Sequence, residues 1–133
     1  MPCTFCEIIR GEREAYIVYS DEEVIAFLDK YPVTPGHTLV VPREHYETIM
    51  EVPTPLLSRI MEAVKILSRA MFEGLGASGV RVVQNNGRGA MQVIPHIHFH
   101  VIPFYDGVEP RRPRPLLTRE EAEYVLGRLR SVL

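Results

Sequence analysis

Three histidines stand at alternate positions of one short segment: His96, His98 and His100, within AMQVIPHIHFHVIPF at residues 90–104. Successive side chains of a β-strand point to opposite faces of the sheet, so a strand here would turn all three imidazoles to one face. The protein has only five histidines, and serine, threonine, lysine or glutamate would make an equally polar strand face. The spacing therefore predicts a chemical use for the three side chains.

Metal binding and nucleophilic catalysis are the two kinds of chemistry that such a row can do. On a flat strand, residues i and i+4 lie about 13 Å apart, too far for two zinc–nitrogen bonds of about 2.1 Å, so one ion cannot bind all three histidines. The central imidazole, that of His98, can attack phosphorus through one ring nitrogen while the other holds its proton against a fixed acceptor. Its neighbours can then orient that ring and stabilise charge on the phosphoryl oxygens.

Two cysteines, Cys3 and Cys6, form a C-x-x-C pair near the start of the sequence. They can supply half of a tetrahedral zinc site, with the other ligands coming from residues distant in sequence. A free thiol pair and a redox pair at a helix start are the alternatives. We favour zinc, because a thioredoxin-like pair requires a βαβ context that the sequence does not show. The opening MPCTFCEIIRGER has no basic and apolar pattern of a secretory signal, so we expect a reduced, cytoplasmic protein.

The charge balance bears on the kinds of partner. Fifteen basic residues against 17 acidic ones, in 133 residues, create no cationic field for a phosphate backbone, so we expect no nucleic acid partner. The longest stretch without Asp, Glu, Lys or Arg, residues 89–105, contains three histidines and two prolines, so we expect no membrane span. A small anionic ligand remains compatible with this composition.

The hydrophobic pattern predicts an α+β fold with an antiparallel five-stranded sheet and helices on one side of it. Strands are expected at residues 16–19, 24–28, 38–41, 80–84 and 97–102, and helices at residues 4–10, at residues 54–72 after an N-cap at Thr54, and after a capping box at Thr118–Glu121. We expect one domain over residues 1–133, in which residues 106–133 form a C-terminal arm and helix outside the core that carries the motifs.

The row His96-Ile97-His98-Phe99-His100-Val101-Ile102 resembles the HφHφHφφ signature, with φ apolar, of the histidine triad (HIT) proteins. Four further segments resemble the Hint-type branch of that family, in the family's order: CTFCEIIRGE, VYSDEEVIAFLD, PGHTLVVPREH and the NNG loop. The resemblance covers about residues 3–105. It implies a HIT-like fold for this sequence.

The resemblance also implies a nucleotidyl hydrolase or transferase that acts on purine nucleoside phosphoramidates or related adenylyl compounds. His98 would attack the α-phosphorus to form a covalent nucleotidyl-histidine intermediate, His100 would bond to the phosphate oxygens, and Asp29 would hold the ribose hydroxyls. The other implied nucleotide contacts are Phe5, Ile8 and Phe27 at the base, and Asn85 and Gln92 around the phosphate. Taken on spacing alone, the three apolar residues would be core, and Asp29 and Asn85 would be turn residues.

Some microbial members of the family bind zinc through this C-x-x-C pair, the histidine of the P-x-x-H segment and the first histidine of the triad. In this sequence those ligands are Cys3, Cys6, His45 and His96, and a closed set of this kind implies a structural zinc. The family also implies a homodimer through the helix at residues 54–72, where Leu56, Ile60, Ala63 and Leu67 are more apolar than one sheet face requires.

One position departs from the pattern of the family. Many Hint-type enzymes have Ser or Thr after a Gly-Gln pair, close to the leaving group, whereas this sequence has Met91-Gln92-Val93. Valine cannot donate a hydrogen bond to an amine leaving group. This valine keeps open a purine mononucleotide-binding protein with weak catalysis, and a dinucleoside polyphosphate hydrolase or phosphorylase of the same fold is the other alternative.

Overall fold

The computed structural model describes residues 3–133. Within these residues the helices are α1 (Thr4–Ile9), α2 (Thr54–Leu75) and α3 (Arg119–Arg130), and a 3₁₀ turn covers Arg88–Ala90. The strands are β1 (Ile17–Ser20), β2 (Val24–Leu28), β3 (Thr38–Pro42), β4 (Gly79–Gln84) and β5 (Phe99–Phe104). They form one antiparallel sheet in the order β1-β2-β3-β5-β4. The predicted α+β class and the five-stranded antiparallel sheet are confirmed.

The two central strands β2 and β3 are buried along their whole length. Val24, Ala26 and Leu28 of β2 belong to the main hydrophobic core, whereas Ile25 and Phe27 belong to a second apolar cluster. Since neighbouring residues of a strand point to opposite faces, the two clusters lie on opposite faces of the sheet. A sheet that is apolar on both faces must be covered on both.

Helix α2 covers the first face with an apolar stripe at 3/4 spacing. Its residues Leu56, Ile60, Ala63 and Leu67 are all buried in the main core. These four side chains, which we expected to contribute to a dimer, therefore pack against the sheet of the same chain. The expected N-cap is wrong as well: Pro53 caps the helix without a side-chain hydrogen bond, and Thr54 is already helical.

Helix α3 packs against α2 at a glycine. A Cβ atom on Gly74 would lie 2.7 Å from the carbonyl oxygen of Arg128, so only glycine lets the two helices approach this closely. Gly76, with φ 71°, ends α2 in the left-handed conformation. The apolar face of α3 joins the main core through Ala122, Val125, Leu126 and Leu129. That residues 1–133 form a single domain stays a prediction.

Helix α1 covers the opposite face of the sheet, so the expectation of helices on one side only is wrong. Phe5 of α1 and Cys3 before it pack against Ile25 and Phe27 of β2 and against two residues of β3, Leu39 and Val41. Because α1 closes this second face, the cysteine pair is placed beside the central strands.

The last strand begins two residues later than the predicted strand at residues 97–102, so the three histidines do not share one strand. Strand β5 begins at Phe99, and of the three histidines only His100 lies in it. Continuing the β3–β5 hydrogen bonds past Phe99 would require Pro42 to donate a backbone N–H, which proline lacks. The carbonyl oxygen of Pro42 is also occupied, because it lies 2.9 Å from the imidazole Nε2 of His96. The segment before β5 is instead anchored by Ile97, whose backbone N–H donates to the carbonyl of Tyr46 (2.8 Å).

No helix within residues 3–133 combines the length and the apolar character that crossing a membrane requires.

Candidate active site

His98 is buried just before β5, on the side of the sheet that α1 covers. Its Nδ1 atom lies 2.8 Å from the carbonyl oxygen of His96. A carbonyl only accepts hydrogen bonds, so this partner assigns the proton to Nδ1 and leaves the lone pair on Nε2. Burial lowers the pKa of His98, against the effects of that hydrogen bond and of the Asp29 charge. A neutral imidazole with a free Nε2 is the form that acts as a nucleophile.

His100 has the opposite protonation pattern, which is set by His37. The backbone N–H of Val33 donates to Nδ1 of His37 (3.0 Å), so the neutral His37 ring carries its proton on Nε2. Nε2 of His37 lies 2.9 Å from Nδ1 of His100, so Nδ1 of His100 accepts this hydrogen bond and the neutral His100 ring carries its own proton on Nε2. Burial lowers the pKa of His37 to about 3 and that of His100 to about 4, so both rings are neutral near pH 7. The Nε2–H of His100 is left to donate to an anion.

Asp29 follows β2 directly and its carboxylate lies beside these two rings. Oδ1 accepts a hydrogen bond from the backbone N–H of Tyr31 (2.7 Å). Oδ2 lies 3.4 Å from Nε2 of His37 and 4.0 Å from Nδ1 of His100. Burial raises the pKa of Asp29, while the Tyr31 hydrogen bond and the charge of Arg114 lower it.

The three apolar residues assigned to the base lie together. Phe5 packs edge-on against Phe27, with ring centroids 5.3 Å apart, and against His98 at 5.1 Å. Ile8 is half-buried and packs against the same cluster. An apolar wall therefore adjoins the imidazole of His98, and such a wall suits a flat base.

Four side chains converge at the other end of the histidine row: Cys3, Cys6, His45 and His96, whose ligand atoms all lie within 4.8 Å of one another. Nδ1 of His96 lies 3.5 Å from Sγ of Cys3 and 3.6 Å from Sγ of Cys6. Nδ1 of His45 lies 3.3 Å from Sγ of Cys6. Because Nε2 of His96 donates to the carbonyl of Pro42, its Nδ1 keeps the lone pair facing the thiols.

These contacts fit a tetrahedral metal ion. Zinc–sulfur bonds of about 2.3 Å and zinc–nitrogen bonds of about 2.1 Å at tetrahedral angles separate sulfur and nitrogen by about 3.6 Å. Burial and the neighbouring Cys3 raise the pKa of the Cys6 thiol, so this sulfur depends on a bound cation to hold it as a thiolate. The cluster can hold a metal.

Asp29, His37 and His100 form a second group of potential ligands within 4.8 Å of one another. Here the hydrogen bonds argue against an ion. Nδ1 of His37 accepts from the backbone N–H of Val33, so Nε2, the atom that faces the other two residues, carries the proton. A protonated nitrogen has no lone pair for a metal.

The loop between β4 and β5 carries the two predicted polar contacts to phosphate. Oε1 of Gln92 accepts from the N–H of Gly87 (2.7 Å), and its Nε2 donates to the carbonyls of Glu47 (2.7 Å) and Ile94 (3.0 Å). The Gln92 side chain thus stabilises the loop through three hydrogen bonds to the backbone. Asn85 is half-buried directly after β4. The phosphate roles of both residues stay predictions.

Two residues of this site were not predicted. His37 belongs to the PGHTLVVPREH segment, from which only His45 was singled out, and it is set apart by its contact with His100, which the local sequence does not show. Arg114 lies in the arm expected outside the motif-bearing core, yet its Nη2 donates to Oδ2 of Asp29 (3.2 Å). Nothing in the local sequence around Arg114 indicates which carboxylate it meets.

The sheet order, the covered second face and the imidazole row define the histidine triad class of fold. The family model described as HIT domain matches residues 10–107. The chain belongs to the HIT family, whose members are generally nucleotide hydrolases or transferases that act on nucleotide substrates.

Several relatives are similar over most of this chain. An uncharacterized HIT-like protein of Saccharolobus solfataricus is 45% identical over 127 residues, covering 92% of this chain and 91% of that one. An adenylylsulfatase of Arabidopsis thaliana is 38% identical over 76% of this chain and 51% of its own. An adenosine 5'-monophosphoramidase of Candida albicans is 37% identical over 78% of this chain and 71% of its own.

Two solved structures show the same fold. A hypothetical histidine triad nucleotide-binding protein of Sulfolobus tokodaii superposes with a TM-score of 0.91 at 41% identity, over 98% of this chain and 91% of that chain. A zinc-bound histidine triad family protein of Mycobacterium smegmatis superposes with a TM-score of 0.87 at 32% identity, over 98% of this chain and 95% of that chain.

Proposed function

We propose that the protein cleaves purine nucleoside phosphoramidates or related adenylyl compounds through a covalent nucleotidyl-histidine intermediate. The observation that carries the proposal is the pair of opposite protonation states at His98 and His100. His98 presents a lone pair on Nε2, and His100 presents a proton on Nε2. A nucleophile beside a hydrogen-bond donor suits attack on a phosphoryl group. The two relatives named for adenylylsulfatase and monophosphoramidase activity support the substrate class.

The reaction has two displacements at phosphorus. In the first, Nε2 of His98 bonds to the α-phosphorus as the bond to the leaving group breaks, and His100 donates to a non-bridging oxygen. The imidazole becomes cationic, and its Nδ1–H strengthens its hydrogen bond to the carbonyl of His96. In the second, water bonds to phosphorus, the phosphorus–nitrogen bond breaks, and the lone pair returns to Nε2. The leaving group takes a proton from solvent in the first displacement, and the attacking water gives one to solvent in the second, so the products are the nucleoside monophosphate and the protonated leaving group.

The nucleoside would lie along the face that α1 covers. Asp29 accepts hydrogen bonds from the two ribose hydroxyls, and Phe5, Ile8 and Phe27 contact the purine. A buried carboxylate suits a vicinal diol, and an apolar slot suits a base. Asn85 and Gln92 remain the proposed polar neighbours of the phosphate.

We propose zinc as the ion of the Cys3, Cys6, His45 and His96 cluster. The support is the mixed sulfur and nitrogen donor set, its spacing and the zinc-bound relative. With four protein ligands no position is open to substrate, so the ion would supply structure and not catalysis. We also propose a reduced, cytoplasmic location, where cysteine ligands stay reduced.

A homodimer through α2 remains part of the proposal. The apolar residues proposed to form the dimer interface are Met61 and Phe72, which are exposed on the helix. They share one stripe with the half-buried Leu57, because their spacings of 4 and 11 residues bring them to the same side of α2. Sedimentation as a monomer at micromolar concentration would contradict this assembly.

A purine mononucleotide-binding protein with weak catalysis is the second candidate, and Val93 is the observation that favours it. This residue is 85% exposed on the loop before the histidines, and its side chain has no hydrogen-bonding group. An amine leaving group would then receive its proton from solvent. Weak turnover of amides with intact nucleotide affinity is the result that this candidate predicts.

Steady-state turnover of three substrates separates the candidates. We expect cleavage of an adenosine phosphoramidate and of adenylyl sulfate, and loss of both in His98→Asn with AMP affinity retained. Preferential cleavage of diadenosine tetraphosphate, or consumption of inorganic phosphate during it, would favour a dinucleoside polyphosphate hydrolase or phosphorylase. Undiminished turnover by His98→Asn would contradict the proposed mechanism.

A further inference from the structure

The C-terminal arm, residues 106–118, runs along the loop that follows Asp29. The backbone N–H of Arg111 donates to the carbonyl of Val33 (3.0 Å), and the backbone N–H of Leu117 donates to the carbonyl of Lys30 (2.8 Å). Two main-chain hydrogen bonds thus hold the arm on either side of residue 114. The guanidinium of Arg111 adds a pair of hydrogen bonds to Glu121 at the start of α3.

Between these two anchors the side chain of Arg114 reaches the proposed ribose site. Its Nε donates to the carbonyl of Tyr31 (2.6 Å) and its Nη2 donates to Oδ2 of Asp29 (3.2 Å). The Asp29 side chain is 11% exposed. It faces His37 and His100, which are both neutral, so Arg114 is the cation that compensates its charge.

The hydrogen bonds leave a defined number of acceptor positions on Asp29. A carboxylate offers about two lone pairs on each oxygen. The backbone N–H of Tyr31 uses one lone pair on Oδ1, and Arg114 uses one on Oδ2. His37 uses none, because its Nε2 lies closer to His100 than to Asp29. One lone pair per oxygen remains, which matches the two hydroxyls of a ribose.

We propose that Arg114 is a specificity-determining residue that makes the site select ribonucleotides over 2'-deoxyribonucleotides by holding the Asp29 carboxylate charged and in one orientation. This inference rests on the proposed function, because it takes Asp29 as the acceptor of the ribose hydroxyls. Arg114 lies beyond residues 10–107, the part matched by the family model, so its role comes from the arm of this chain. It acts on binding and not on the bond-breaking step at His98.

The test compares AMP and 2'-deoxy-AMP by calorimetry in the intact protein. Arg114→Gln removes the charge but leaves the main-chain anchors of the arm. We expect it to weaken AMP binding about ten-fold and 2'-deoxy-AMP binding little, as for the loss of one charge-assisted hydrogen bond. Arg114→Lys keeps a cation and should restore part of the preference. Turnover should show a raised KM and an unchanged kcat.

Two controls make each outcome decisive. Arg112→Gln removes the same charge from an exposed position of the arm and should leave the ribose preference intact. Asp29→Asn should abolish the preference, and failure of wild-type protein to bind AMP, or of Asp29→Asn to change the preference, would overturn the proposed ribose site itself. An unchanged preference in Arg114→Gln with a working Asp29→Asn control would overturn the role of Arg114 alone. Tighter AMP binding by Arg114→Gln would also overturn it, because Arg114 would then compete with the ribose.

Discussion

His96 joins the candidate metal cluster to His98 within two residues of chain. Its imidazole Nδ1 lies 3.5 Å from Sγ of Cys3, and its carbonyl oxygen lies 2.8 Å from Nδ1 of His98. An ion that fixes the His96 ring therefore also fixes the acceptor that sets the protonation state of His98. Second-sphere contacts of this kind orient reactive groups in many metalloproteins.

Loss of the metal should accordingly affect both stability and the orientation of His98. We expect Cys6→Ser to lose the roughly equimolar zinc of the purified wild type and to melt at a lower temperature. Imidazole ¹⁵N NMR spectra of the variant should show His98 as a mixture of tautomers, and no longer as a ring with its proton fixed on Nδ1. Glu7→Gln is the matched control, since it keeps all four ligands and loses only an exposed ion pair with Arg13. Wild-type protein that folds fully without metal would contradict this account.

Gly74 sets the distance between α2 and α3. Gly74→Ala should lower the free energy of unfolding by about 1–3 kcal/mol, because its methyl group would collide with the main chain at Arg128. Gly127→Ala is the matched control: it lies within α3 with no atom within 4 Å of its added Cβ, and better helix propensity should stabilise it by up to about 1 kcal/mol. Urea unfolding of both variants checks the pair. Equal effects would contradict the close approach.

His37 should make folding stability depend on pH. Burial, followed by the His100, Arg114 and His98 charges, lowers the pKa of His37 to about 3 in the folded protein. The unfolded chain has an ordinary histidine pKa of about 6.5. The unfolded state therefore binds the proton more tightly, and this contribution to stability is present above about pH 6.5 and is lost as the pH falls toward 3.

The measurement is the difference between wild type and His37→Asn in urea unfolding at several pH values. Both proteins carry the metal cluster, so its own pH dependence cancels in the difference. We expect the free energy of unfolding of wild type to fall more steeply below pH 6.5 than that of the variant. Parallel curves would show that His37 binds a proton in the folded protein as readily as in the unfolded chain.

Val93 offers a gain-of-function test. Val93→Ser puts a hydroxyl at the loop position where many Hint-type enzymes have one, and the position is exposed, so folding should not suffer. We expect kcat for an adenosine phosphoramidate to rise several-fold and kcat for a p-nitrophenyl ester of AMP, whose leaving group needs no proton, to stay unchanged. Val93→Ala is the control, because it removes the valine side chain without adding a hydroxyl, and it should not raise kcat. Equal rises for both substrates would contradict protonation of the amine.

The sequence predicted the five-stranded sheet better than it predicted where the last strand begins. The continuous apolar run at residues 24–28 located β2, and the alternation at residues 97–102 located most of β5. The same alternation suggested that His96 and His98 lie in a strand, which they do not. The ladder stops because Pro42 cannot donate a backbone hydrogen bond, a property of the partner strand that periodicity within one segment does not show.

Arg114 and His37 could not be predicted because their roles depend on tertiary contacts. Arg114 meets Asp29, 85 residues earlier, only after the arm has docked. His37 differs from other buried polar residues through its contact with His100, 63 residues later. The proposed ligands His45 and His96 came from the family resemblance, because spacing alone identified only the two cysteines.

The central claim is that Nε2 of His98 bonds covalently to phosphorus. Protein mixed with an excess of adenosine phosphoramidate and quenched in alkaline denaturant, which spares the acid-labile phosphorus–nitrogen bond, can be digested and analysed by mass spectrometry. We predict an adenylyl group on the peptide that contains His98, localised to that residue, and none in His98→Asn. Turnover without any adduct, or an adduct on His100, would contradict the mechanism.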